Sequence, residues 1–342
     1  MSKADYCVFI GRFQPFHNGH LEVIKNALKD EAEKLIIVVG SHRVPRSLKN
    51  PWSYEERRVM IELALPADLL GRTTIVPARD YMYDNTMWLT GIQNVVTQTI
   101  NCRSATVKLI GHFKDDSSFY LRLFPQWKLV AEPNHFGITS TMIREEIFEN
   151  IGLFVTNMPE KVLNEVLAWT GTQSCEELRR EWKFLKDYKK KWASAPFPPV
   201  FVTTDAVIVQ AGHVLLVRRG FNPGKGRYAL PGGFLQGNKR IIDSCLAEVK
   251  EETNILFPKD QLKKCLKDIH VFDHPLRDQR GRTITHAHYF EIDRLGPLPA
   301  VAGGDDAAEA LWLPLCDLAL VEENFFSDHI HIINYFINGV GR

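Results

Sequence analysis

Apolar residues in the first 150 positions fall into two alternating patterns. Tyr6–Ile10, Leu35–Val39, Thr74–Pro77 and Val107–Ile110 are short, predominantly apolar runs, the signature of strands buried on both faces. Between them, Leu21, Ile24 and Leu28, and then Met60, Ile61 and Leu63, recur at helical spacing, with Ser53 as an N-cap before Tyr54-Glu-Glu-Arg-Arg. Strand, helix and strand within about thirty-five residues make a βαβ unit. The repeated alternation predicts an α/β domain with a doubly wound parallel sheet, which binds ligands at the carboxyl ends of its strands.

The pattern changes after residue 150. Leu178, Trp182, Leu185 and Trp192 form an apolar stripe at helical spacing among Arg179, Arg180, Lys183, Lys186, Lys189, Lys190 and Lys191. The basic face reads as the solvated side of a connecting helix in preference to a nucleic-acid surface. Ala193-Ser-Ala-Pro-Phe-Pro-Pro199 ends that helix. Val202–Gln210 and Val214–Arg219 then flank Ala211-Gly-His213, which predicts a hairpin and not a crossover. The expected organisation is a doubly wound α/β domain over 1–150, linker helices over 151–199 and an α+β domain over 200–342.

Composition narrows the class. A length of 342 residues suits two domains, and 45% hydrophobic residues suffice for two cores. Lys and Arg number 42 against 41 Asp and Glu, so no basic excess points to nucleic acid or an anionic membrane. No apolar run approaches a membrane span, and Met-Ser-Lys-Ala-Asp lacks the features of a secretory signal. Cys7, Cys102, Cys175, Cys245, Cys265 and Cys316 are scattered without a Cys-x-x-Cys pair, which argues against disulfides and zinc and for a reducing cytoplasm. Homo-oligomerisation is left open by the sequence.

Candidate chemistry concentrates in Ile10-Gly-Arg-Phe-Gln-Pro-Phe-His-Asn-Gly-His20, between a strand and a helix. A helix N-terminus offers unpaired N–H groups, Gly11 and Gly19 allow close approach, and His17 and His20, three apart, can share one side. Two exposed polar histidines are the plainer alternative. Gly137-Ile-Thr-Ser-Thr-Met-Ile-Arg144 repeats the theme: Thr139, Ser140 and Thr141 are ordinary N-cap residues, but Arg144 falls one turn into the helix, where it can join them on a polyphosphate. Two further segments follow strands: Asp80-Tyr-Met-Tyr-Asp-Asn-Thr-Met-Trp88 and Gly111-His-Phe-Lys-Asp-Asp116.

The first motif resembles the signature of the nucleotidyltransferase superfamily, most closely that of archaeal-type nicotinamide mononucleotide (NMN) adenylyltransferases; the second resembles the superfamily's Ile-Ser-x-Thr-x-x-Arg phosphate motif. The resemblance implies adenylyl transfer from ATP to NMN, giving NAD and pyrophosphate, with Mg²⁺ bridging phosphates. It implies His17, His20 and Arg144 as catalytic residues, with Gly11, Arg12, Phe13, Gln14, Lys49, Gly111, Thr139, Ser140 and Thr141 at ATP. Asp80, Asn85 and Trp88 are implied at NMN, Trp88 stacking on the nicotinamide. The enzyme alternative is a transferase for another phosphorylated acceptor, such as phosphopantetheine or a flavin mononucleotide.

In the second half, Leu230-Pro-Gly-Gly233 leads to a helix on which Glu248, Glu251 and Glu252 share one face. A solvated acidic face and a Mg²⁺ site both fit that spacing. The segment resembles the Nudix box at Gly233, Glu248, Val249, Glu251, Glu252 and Ile255, and departs from it at Lys239, Ala247 and Asn254, where the pattern has glutamate, arginine and glycine. Arg282-Thr-Ile-Thr-His-Ala-His-Tyr-Phe and Gly304-Asp-Asp-Ala-Ala-Glu-Ala-Leu-Trp312 also resemble this family. Together the halves resemble bifunctional NMN adenylyltransferase–Nudix fusions, which implies ADP-ribose as the second ligand and Mg²⁺ at the three glutamates. Loss of the box arginine and first glutamate predicts weakened hydrolysis, or a domain that senses ADP-ribose or NAD without cleaving it.

Overall fold

The computed structural model describes residues 3–113, 116–292, 296–304 and 306–339. Lys114, Asp115 and Asp305, in the segments quoted above, lie outside them. The chain divides into two compact units, Met1–Arg180 and Glu181–Arg342.

The first unit runs β1 (Ala4–Gly11), α1 (Asn18–Asn26, continued by a π-helical turn), β2 (Ala32–His42), α2 (Tyr54–Ala64), α3 (Ala67–Leu70), β3 (Thr73–Arg79), α4 (Asn85–Ile100), β4 (Val107–His112) and β5 (Lys128–Glu132). Helices α5 (Ser140–Glu149) and α6 (Glu160–Thr170) follow, then α7 (Gln173–Lys190), within which the two units divide. The sheet order is β3-β2-β1-β4-β5 and every pairing is parallel. The doubly wound expectation is met. Strand β5 goes beyond it: in this five-residue edge strand with half-exposed positions the apolar run, Leu129–Ala131, is only three residues long.

Both faces of the sheet are covered. Val8, Ile10, Ile36, Val38 and Leu109 pack with Ile92 and Val96 of α4, while Cys7, Phe9, Leu35, Ile37 and Val39 are buried in the intervening positions. Ser53 caps α2 as expected and forms a reciprocal box with Glu56: the Glu56 N–H reaches Ser53 Oγ at 3.2 Å, and the Ser53 N–H reaches Glu56 Oε2 at 2.7 Å. In the segment expected as a linker, α6 packs on α2 and sets the Trp169 ring 4.7 Å from that of Trp52.

The second unit contains β6 (Val200–Gln210), β7 (His213–Arg219), β8 (Tyr228–Ala229), β9 (Gly232–Phe234), α8 (Ile241–Thr253), α9 (Lys259–Lys264), β10 (Leu266–Phe272), β11 (Arg282–Glu291), β12 (Ala307–Pro314), α10 (Leu318–Val321) and α11 (His329–Gly339). Its seven-stranded mixed sheet has the path β10-β11-β6-β7-β12, with β8 on β7 and β9 on β6; only β6 and β11 pair in parallel. The β6–β7 hairpin turns on Ala211 and Gly212, both at positive φ (48° and 72°), as a two-residue loop between twisted strands requires. Cys245, Leu246 and Val249 of α8 close the core over Ala206, Ile208 and Phe290. Among the described residues no helix is long and apolar enough to cross a membrane.

Candidate active sites

In the first unit the chain leaves β1 for β2 and β3 on one side and returns to β4 on the other. A crevice therefore opens at the carboxyl ends of β1 and β4, where Gly11 and Gly111 stand. The loop after β1 is held by a side chain the sequence reading did not single out. Arg57 of α2, 0% exposed, donates to the carbonyls of Arg12 (2.7 Å), Gly40 (2.6 Å), Ser41 (3.1 Å) and Ser53 (3.0 Å). One guanidinium thus ties the end of β1 to the end of β2. Its place one turn before Met60 and Ile61 on the buried stripe was the available signal.

Gln14, expected at ATP, engages its amide within the protein. Its amide pairs twice with the Trp52 backbone, Nε2 to the carbonyl at 2.8 Å and Oε1 from the N–H at 3.0 Å, and the residue is buried. It anchors the loop. Arg144 does part of the same work, donating to the carbonyls of Leu48 (3.0 Å) and Gln14 (2.7 Å) and to Thr141 Oγ1 (3.3 Å). Thr139 caps α5 by accepting from the Met142 N–H, and Ser140 Oγ donates to the Pro15 carbonyl.

His17 and His20 stack with ring centroids 3.7 Å apart. The His17 N–H donates to His20 Nδ1 at 3.3 Å, so that nitrogen is an acceptor and the proton of a neutral His20 sits on Nε2. Burial pushes His17 down to about 4 and holds His20 well below the ordinary histidine value, with His17 adding repulsion. Both rings are neutral near pH 7. His17 Nδ1 is buried against Gly19 and makes no hydrogen bond with the described residues.

The positive charge comes from arginine and lysine. Burial lowers Lys49 to about 8, with Arg12 and Arg144 pushing it further down and Asp80 opposing. Burial lowers Arg144 to about 10, again with a contribution from Arg12. These three cations feel one another, so the crevice is electropositive and suited to a polyanion. Asp80 Oδ2 accepts from Ser41 Oγ at 2.5 Å. Gly111 has no room for a side chain, since a Cβ would lie 2.7 Å from Leu121 Cδ2. Asn85 opens α4 and is exposed; Trp88, half-buried one turn later, lies 5.8 Å from the Tyr120 ring and 5.9 Å from Phe124.

The second unit has a cavity of about 400 Å³ lined by residues including Asp205, Arg219, Glu248, Glu251, Glu252, Arg277, Asp278, Arg280 and His329. The three glutamates of α8 all reach it, but unequally. Glu252 accepts from the Gly232 N–H at 3.0 Å and is pushed up to about 8 by burial, with the Glu248 charge adding to the effect. Glu248 lies against Gly233, where a Cβ would meet its Oε2 at 2.6 Å, and the Gln236 amide reaches its Oε1 at 3.4 Å. Glu251 is exposed. Among the described residues no group of three or more His, Cys, Asp or Glu is gathered closely enough to hold a metal ion as it stands. Glu248 and Glu252, half-buried carboxylates lining one cavity with the Glu248 charge acting on Glu252, nonetheless suit a divalent cation, whose charge would relieve their repulsion.

Of the departures in this segment, Asn254 is structurally accommodated: it ends α8 at φ 46°, a left-handed position that asparagine tolerates. Its Nδ2 also reaches the carbonyls of Ala302 (3.3 Å) and Gly303 (3.4 Å). Lys239 and Ala247 are not among the residues lining the cavity.

Comparison with known proteins is consistent in both halves. Residues 8–146 match the Cytidylyltransferase-like family and residues 200–336 the NUDIX domain. The nicotinamide/nicotinic acid mononucleotide adenylyltransferase of Acinetobacter baylyi is 37% identical over 184 residues, 54% of this chain and 96% of that protein. The ADP-ribose pyrophosphatase of Methanocaldococcus jannaschii is 35% identical over 132 residues, 38% of this chain and 72% of that protein. A crystal structure of a bifunctional NMN adenylyltransferase/ADP ribose pyrophosphatase from Francisella tularensis, with AMP and a Mn ion, has 34% identity and a TM-score of 0.93, covering 99% of this chain and 100% of that one.

Proposed function

This chain belongs to the family of bifunctional NMN adenylyltransferase/ADP-ribose pyrophosphatases, and from that membership we propose that its first unit adenylylates NMN and its second binds ADP-ribose. The observation that carries the first activity is the mutual crowding of Arg12, Lys49 and Arg144, with two stacked neutral histidines on the loop that follows β1. A phosphate oxygen of NMN attacks the α-phosphorus of ATP, the bond to the bridging oxygen breaks, and pyrophosphate leaves. No covalent intermediate is needed. The protein's contribution is alignment and stabilisation of charge on the α-phosphate and the departing pyrophosphate.

In this reading His20 donates from Nε2 to a phosphate oxygen, and His17, stacked against it at 3.7 Å, adds a second neutral ring at the same ligand. Lys49 and Arg12 neutralise the polyphosphate. Arg144 adds charge while pinning the Gln14 and Leu48 carbonyls, so its loss would damage both binding and loop geometry. Gly11, Phe13, Gly111 and the hydroxyls of Thr139, Ser140 and Thr141 shape the ATP side. Asp80, Asn85 and Trp88 form the NMN side, with Trp88 stacking on the nicotinamide. Glu248 and Glu252, with Glu251 from the surface, would hold Mg²⁺, which would supply charge neutralisation for the second ligand's pyrophosphate. A cytoplasmic setting suits these substrates and the six free thiols.

For the second unit we propose binding of ADP-ribose with slow cleavage. Lys239 and Ala247 leave the box without one acid and without the arginine that its pattern places beside Glu248. Purified protein incubated with ATP, NMN and Mg²⁺ should yield NAD and pyrophosphate; absence of NAD refutes the transferase reading. With ADP-ribose, the Lys239→Glu plus Ala247→Arg variant should cleave faster than the unaltered protein. Brisk cleavage by the unaltered protein, with no gain in the variant, refutes the slow-cleavage reading.

A further inference from the structure

The cavity of the second unit is also lined by a histidine that lies far along the chain from the acidic helix. His329 opens α11, is 6% exposed, and accepts a hydrogen bond on Nδ1 from the Leu230 N–H at 2.8 Å. A ring nitrogen that accepts cannot carry the proton, so in the neutral ring the hydrogen is on Nε2. Burial keeps this histidine below its ordinary value, hence uncharged near pH 7. Nε2 has no protein partner among the described residues.

The neighbouring donors are already engaged or cationic. Arg277 spends its guanidinium on Asp328 at 2.9 and 3.1 Å. Arg219 lies 4.2 Å over the Phe326 ring, and that ring lies 5.5 Å from His329. Arg219 donates Nε to the Pro223 carbonyl at 2.9 Å, so its charge stands on the same wall as the unused N–H of His329. The carboxylates of Asp205 and Asp328 also face this ring, but Asp328 is bound to Arg277 and Asp205 accepts from Thr285, so Arg219 is the cation that favours an anionic oxygen at the neutral donor.

We propose that His329 is a ligand-binding residue of the second unit, donating Nε2–H to a phosphate oxygen of the nucleoside-diphosphate sugar bound there. The assignment rests on the ADP-ribose reading above, and it makes the start of the C-terminal helix part of the binding site. The contact with Leu230 has a second effect. It locks the tautomer by way of the segment that leads into Gly232, whose N–H holds Glu252.

The test uses the full chain with its transferase site filled by NMN and α,β-methylene-ATP, and follows binding of α,β-methylene-ADP-ribose with Mg²⁺ by calorimetry. His329→Asn keeps an acceptor for the Leu230 N–H but cannot reach the ligand; its Kd should rise roughly tenfold, the effect of one lost hydrogen bond, with Tm unchanged. His329→Gln can place an amide N–H near the Nε2 position while giving up the Leu230 contact; it should bind within about threefold of the unaltered protein. Equal binding by His329→Asn and the unaltered protein overturns the proposal, as does an equal loss in both variants. If the unaltered protein takes up no analogue, the ADP-ribose reading itself fails, and this assignment with it.

Discussion

Arg57→Met should loosen the first unit and disable it before it unfolds. The substitution keeps the length and apolar stem of the side chain but leaves the carbonyls of Arg12, Gly40 and Ser41 without their donor. Each buried acceptor left unpaired costs about 1–3 kcal/mol. Against this, the variant no longer buries a cation whose pKa is depressed from 12.5 to about 10 by burial, a relief of about 3 kcal/mol at 1.36 per pH unit. The net loss is about 3 kcal/mol, which a unit of ordinary stability survives at 25 °C. Turnover should suffer more than folding, because the released carbonyls belong to the residues that set Arg12 and the Ser41–Asp80 contact. A shift of about 1 Å in such groups costs on the order of a hundredfold. Urea unfolding followed by circular dichroism, with adenylyl transfer measured at 25 °C on the folded variant, gives both numbers. Arg57→Lys retains the charge without the planar fork and should fall between the two. An unaltered urea midpoint together with turnover within about twofold of the parent would refute the scaffold role.

Three further predictions follow from the same site. Lys49, lowered to about 8, loses its charge as pH rises through that value, so the KM for ATP should climb between about pH 7 and 9; Lys49→Arg should flatten the climb, and a parallel climb in that variant counts against Lys49. His17 is neutral in the fold down to about pH 4, whereas the unfolded chain takes up its proton near the ordinary value of 6.5. The unfolded state therefore binds more protons in that window, and the urea midpoint of the first unit should fall as pH drops from about 6.5 towards 4, less steeply in His17→Gln; equal slopes would remove His17 as the cause. Trp88→Ala should weaken NMN far more than ATP, since ring stacking is worth about 0.5–1.5 kcal/mol beyond buried area. Equal loss of both ligands, or early melting, would identify Trp88 as packing for Tyr120 and Phe124 alone.

Much of the transferase fold was legible along the chain because parallel strands buried on both faces leave apolar runs, and their crossover helices leave a 3.6-residue stripe. The loop from Gly11 to His20 and the Thr139–Arg144 segment stood out because each gathers glycine, hydroxyl or cationic residues at a helix start, the composition a phosphate site would need. Local spacing also determined the β6–β7 hairpin, and it put Glu248, Glu251 and Glu252 on one face of α8.

What the chain could not disclose is which partner each polar group finds. Gln14 reads as a ligand contact beside Arg12, yet folding brings Trp52 to it, and its amide is consumed by the backbone 38 residues away. Arg57 lies on the buried stripe of α2, but nothing local says what it will bind; the packing of α2 against β2 gives it four carbonyls and no exposure. The second cavity takes Asp205 from β6, Arg219 from β7, Arg277 and Arg280 from the loop before β11, and His329 from α11. Hydrophobic periodicity and turn chemistry are properties of neighbours in sequence, so they survive in one dimension. Hydrogen-bond pairing, desolvation and the crowding of like charges depend on distances between remote segments, and only the folded chain decides those.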